Sequence, residues 1–177
     1  MRQKRIAAAL ENDDRSELFR VFDDYFPRRH EFRDASNQFT TVEVARHRPC
    51  GKVVVDCDYG AEGLWVELHG DPNQPSVELS HDLCVALYQW NCWLDALPDW
   101  AWNDDDLVLA KPFLDAEWDL FDQVQKRLAI EVKREAMQLR VFYFGDSYSF
   151  LEIIIDEKGQ VNERVSERIG PLAACIS

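Results

Sequence analysis

Two stretches of this chain combine residue types that could do chemistry. The first is Asp56-Cys57-Asp58, at the end of the apolar run Lys52-Val53-Val54-Val55. Acids two residues apart on an extended chain point the same way, and at a strand end such a pair could hold Mg²⁺ or Mn²⁺. The same residues also read as two solvent-facing acids that close a strand before a glycine turn. The second stretch runs from Trp90 to Asp122, where tryptophan and aspartate crowd together. Trp90 and Trp118 fit apolar helical stripes. Trp93, Trp100 and Trp102 are harder to bury, because Asp99, Asp104, Asp105 and Asp106 beside them must stay hydrated. Tryptophan ringed by carboxylates suits the capture of a basic protein: the ring supplies desolvated area and the acids steer Lys and Arg. The alternative is that these rings cover a sheet edge.

Other chemistry finds weaker support. His30, His47, His69 and His81 lie on separate segments, without the i, i+4 spacing that puts two imidazoles on one metal. Cys50, Cys57, Cys84, Cys92 and Cys175 are scattered, odd in number and free of any C-x-x-C, which reads as reduced, packed thiols. A Cys/His nucleophilic pair would have to meet in space. Glu62, Glu67 and Glu78 could form a glycosidase couple with other acids, a coincidence expected in so acidic a chain. Arg28, Arg29, His30 and Arg33 form the notable basic cluster, read as a solvated loop after a helix; nothing glycine-rich accompanies it to make a phosphate site.

The elements that must position these residues follow from periodicity. Residues 2–11 and 14–26 read as helix, broken at Asn12-Asp13 and stopped by Pro27. Residues 40–45 alternate as a strand with one wet face; 52–58 are apolar on both faces and 64–69 return as a hairpin partner, giving three antiparallel strands. Ser80 caps a helix whose Leu83, Leu87, Trp90, Leu94 and Leu97 share one face, to be buried on a sheet. Pro112 opens a long helix to about Ala136, with Asp115, Glu117 and Asp119 near its positive end and Asp122 placed to pair with Lys126. Residues 139–144 and 150–156 form a second hairpin, and 161–166 a short polar edge strand. The order α, βββ, αα, ββ(β) predicts an α+β fold with a mainly antiparallel sheet of five to six strands and helices packed on it, in one domain over residues 1–177.

The 177 residues carry 20 Lys+Arg against 33 Asp+Glu, a formal net charge of −13. This repels nucleic-acid phosphate and anionic lipid and favours a basic protein partner. Reduced thiols, the short apolar run Ile6 to Leu10, and no stretch of about 20 apolar residues point to a cytoplasmic protein.

Asp58-Tyr59-Gly60-Ala61-Glu62-Gly63-Leu64-Trp65, followed by Leu79-Ser80 and the Leu83, Leu87, Trp90 stripe, resembles a pattern in small acidic bacterial immunity proteins. These are encoded beside polymorphic or contact-dependent growth inhibition toxins, and the resemblance spans residues 56 to 97. It implies a non-enzymatic protein, without a cofactor, that binds a cognate toxin domain, often a nuclease, and blocks its active site or substrate groove. The predicted partner-binding residues are Trp93, Asp95, Asp99, Trp100, Trp102, Asp104, Asp105, Asp106, Asp115, Asp119 and Asp122. The competing expectation is a metal-dependent transferase or hydrolase working through Asp56 and Asp58. That triplet looks like the D-x-D of nucleotide-sugar glycosyltransferases, whose fold needs a parallel sheet before the motif, whereas a hairpin is expected here directly after it.

Overall fold

Two short-range signals start the fold. Asp14 accepts a hydrogen bond from the Glu17 N–H at 3.0 Å and caps helix α2 (Arg15–Tyr25), while Asp13 takes a positive φ of 53° at the turn from helix α1 (Arg2–Glu11). The break therefore falls where the sequence places it, with Asp14 as the cap. Ser80 caps α3 (His81–Asp95) as predicted, its hydroxyl accepting the Leu83 N–H at 3.3 Å. The computed structural model describes residues 2–33, 35–57, 62–66, 75–96, 111–145 and 149–166.

Helix α4 (Lys111–Glu135) is the hub. It packs on strands β3 (Lys52–Val55), β5 (Arg140–Gly145) and β6 (Ser149–Ile155), and also touches α1 and α3. Because it begins at Lys111, Pro112 sits in its first turn as expected; Asp115 lies beyond that turn and gains less from the helix dipole than the sequence suggests. Its last turn is closed by the Lys133 ammonium, which donates to the Met137 and Leu139 carbonyls.

The main sheet runs β4-β3-β5-β6-β7, with β4 at Leu64–Val66 and β7 at Val161–Val165. The β3–β4, β5–β6 and β6–β7 pairs are antiparallel, but β3 and β5 are parallel, with Val54 opposite Phe142. The predicted α+β class with a mainly antiparallel sheet stands, and the parallel β3–β5 pair makes that sheet mixed. Between β4 and β5 the chain passes through two helices, so β5 arrives beside β3 in the same direction, as a crossover connection requires.

The first predicted strand also finds a different partner. Strand β2 (Phe39–Glu43) does not join β3 and β4. It pairs with β1 (Arg29–Arg33), formed by the basic stretch read as a loop, in a separate two-stranded sheet. Arg29 and Glu43 face each other and form an ion pair at 2.7 Å.

Helix α3 departs from its predicted stripe. It packs against α2 and α4, and Leu83 through Asn91 are buried all round, together with Trp93 and Leu94. Gly63, just before β4, approaches α3 closely: its φ is 76° and a Cβ added there would stand 2.5 Å from the Leu87 carbonyl oxygen. Only glycine permits that approach.

Burial of so much of the helical layer forces polar groups to pair. Glu131, 2% exposed, accepts hydrogen bonds from Arg134 at 2.8 Å and Arg15 at 3.2 Å, and the Arg127 Nε lies 2.8 Å from Oε1 as an ion pair too poorly angled for a hydrogen bond. Arg127 also reaches Asp13, and Arg15 reaches Glu135, which accepts from both the N–H and the hydroxyl of Ser80. One ionic network thus ties the α1–α2 turn, the α3 cap and α4 together.

Candidate functional site

Asp115, Asp119 and Asp122 recur at i, i+4 and i+7 along α4 and fall on one exposed face. The sheet supplies what faces them. Along β7, residues alternate sides, and the register sets Glu163 opposite Ile153 and Val165 opposite Leu151. Because Ile153 points into the core, Glu163 and Val165 lie on the α4 side.

Between that acidic helix face and the last three strands runs a groove of about 580 Å³. Asp119, Asp122 and Glu163 are its acids, Lys126 its cation, and Phe144, Leu151 and Val165 its apolar surface. Val165 is 62% exposed. Lys126 does not settle on Asp122 as predicted: its ammonium lies 2.8 Å from Glu163 across the groove. The Tyr143 hydroxyl donates to the same carboxylate. Partial burial alone would raise the Glu163 pKa, but the hydrogen bonds from Lys126 and Tyr143 outweigh it and hold the group below the usual carboxylate value. Among the described residues three acids stand against one base in the groove, in a chain that is itself strongly negative.

The predicted site residues divide accordingly. Asp119 and Asp122 line the groove, and Asp115 extends the same stripe one turn earlier. Asp95 ends α3 and is exposed, its pKa raised by desolvation; it does not line the groove. Trp93 is a correction. It is 0% exposed, so its ring is not offered to a partner. Asp99, Trp100, Trp102, Asp104, Asp105 and Asp106 lie outside the described residues. Glu163 and Tyr143 were missed; the alternation of Val161-Asn162-Glu163-Arg164-Val165 held the signal, since it puts the Glu163 carboxylate on the side of the two valines.

Among the described residues the metal reading gathers no further ligands. One Asp56 oxygen accepts the Cys57 N–H at 2.9 Å and lies 3.5 Å from the Gln125 amide, which donates to the Val55 carbonyl at 2.9 Å. Asp58 lies outside the described residues. Among the described residues no group of three His, Cys, Asp or Glu side chains could hold a metal ion.

A Cys/His pairing does occur, though not in a nucleophile's geometry. The Cys84 sulfur accepts the backbone N–H of His47 at 3.4 Å, and burial raises its thiol pKa, the opposite of activation. The His47 ring faces Glu62 at 3.4 Å, and burial lowers its pKa despite that carboxylate. Cys50, Cys57, Cys84 and Cys92 are free thiols; Cys175 lies outside the described residues. Among the described residues no helix is long and apolar enough to cross a membrane. No protein-family model, curated protein or solved structure matches this chain.

Proposed function

We propose that this chain is an acidic cytoplasmic inhibitor of the immunity-protein kind, which binds a cognate basic toxin domain, such as a nuclease, and blocks its active site or substrate groove. The observation that carries the reading is the groove between α4 and β7, where Asp119, Asp122 and Glu163 flank apolar Phe144, Leu151 and Val165. A surface of this composition desolvates a partner's apolar side chains while its carboxylates attract Lys and Arg. A nuclease carries the complementary surface, because its own substrate is polyanionic. The net charge of −13 supports the same partner by raising the encounter rate of a cationic protein. In this reading the acidic stripe Asp115, Asp119 and Asp122 steers approach, and the groove holds the docked segment.

The test is co-expression with any toxin frame found beside this gene, together with association rates measured across a salt series. Protection is expected, with an on-rate that falls steeply as salt rises. Asp119→Lys combined with Asp122→Lys is expected to slow association on the order of tenfold or more and to abolish protection, with an unchanged circular dichroism spectrum because both side chains are exposed. If the doubly reversed protein associates and protects like the parent, the groove is not the docking site.

A further inference from the structure

Lys126 occupies the groove as a ligand would. Its ammonium sits on Glu163 at 2.8 Å, yet its side chain is 45% exposed, so it can swing into water with little loss of packing. Glu163 is held more firmly. It projects from a strand hydrogen-bonded to β6, and the buried Tyr143 hydroxyl fixes its carboxylate from the core side. A carboxylate already oriented and already paired with a cation is a receptor whose resident cation can be exchanged.

We propose that Glu163 is the residue that takes an arginine of the bound partner, and that Lys126 is an internal stand-in displaced when this arginine enters. The proposal rests on the inhibitor reading and names the partner's chemistry. The occupant is an extended segment with arginine between apolar residues. Arginine presents a planar fork that can bond both carboxylate oxygens, whereas the lysine ammonium makes a point contact, so exchange favours the incoming group. In an extended segment successive side chains alternate, which lets one face carry arginine to Glu163 while apolar neighbours meet Leu151 and Val165. Asp119, on the opposite wall, receives a flanking cation or the released Lys126.

The probe is an acetylated, amidated Val-Arg-Val-Arg-Val peptide titrated calorimetrically into the full chain, with a Val-Glu-Val-Glu-Val peptide as control. The arginine peptide is expected to bind and the glutamate peptide not to bind. Glu163→Gln should weaken binding on the order of tenfold or more, the effect of losing a charge-assisted pair. Lys126→Met should tighten it by roughly threefold to tenfold, because the competing cation is gone. That gain is the decisive readout, since damage to the fold would not improve affinity. No binding of the arginine peptide, equal affinity for Glu163→Gln, or no gain for Lys126→Met overturns the proposal. If a toxin is neutralised equally well by the Glu163→Gln chain, this inference fails and the inhibitor reading survives. If the peptide behaves as expected but no toxin is neutralised, the inhibitor reading fails and the arginine site stands.

Discussion

The indole N–H of Trp93 donates to the Glu117 carboxylate at 2.9 Å, joining the last turns of α3 to the first half of α4 inside the core. Arg2 bonds the same carboxylate and lays its guanidinium 5.2 Å from the Trp93 ring and 5.5 Å from that of Phe26. The ring is also packed edge-on against Phe121. One buried acid thereby satisfies both an indole and the guanidinium of α1.

Removing that acid should be costly. Glu117→Ala leaves the Trp93 N–H and the Arg2 charge without their acceptor, and is expected to destabilise the protein by about 2–4 kcal/mol. Glu117→Gln, which keeps an oxygen for Trp93, should cost about 1–2 kcal/mol. Urea unfolding followed by tryptophan fluorescence measures both. Trp93→Phe should likewise lower stability without changing affinity for a basic partner; an affinity loss in a folded Trp93→Phe protein would return the ring to the interface.

The outer side of the sheet carries a second ionic set with a pH signature. Glu152 on β6 receives two bonds from Arg140 on β5, at 2.8 and 2.9 Å, and one from Arg164 on β7 at 2.6 Å. The bonds from Arg140 lead in depressing its pKa, against opposing desolvation and with help from Arg164, to about 2. A carboxylate whose folded pKa lies below its unfolded value adds stability that is complete above the unfolded value, near 4.5, and disappears as pH falls towards about 2. Wild type should therefore exceed Glu152→Gln in stability at pH 7, and the difference should shrink between pH 4.5 and 2. Unfolding midpoints measured across that range decide it; a gap independent of pH would mean that packing, not charge, is what the glutamate contributes.

Gly63 is the steric key between the β3–β4 hairpin and α3. Gly63→Ala meets both a left-handed backbone conformation and the Leu87 carbonyl, and should destabilise by about 2 kcal/mol or more. Gly159, with a φ of 79° but open space around it, provides the control: alanine there should cost only the conformational part, about 1 kcal/mol. Thermal unfolding of the two variants separates the clash from the conformation. Equal losses would show that the approach to α3 relaxes freely.

What was legible in the sequence was local. Ser80 as a cap, Pro27 as a stop and the common face of Asp115, Asp119 and Asp122 depend on groups within a turn or two of one another, so residue type and spacing suffice. The β3–β4 and β5–β6 hairpins and the long helix were readable for the same reason. Neighbours distant in the chain decided the rest. Trp93 reads as a surface ring because acids follow it, but Glu117, a helix away, supplies the acceptor that lets it be buried. Asp122 is correctly spaced for Lys126, yet Glu163 wins that lysine because β7 carries an oriented carboxylate to it. The parallel β3–β5 pair and the separate β1–β2 ribbon likewise follow from where the helices return the chain. Short-range periodicity determines which surface an element offers, and only desolvation and long-range pairing determine what that surface meets.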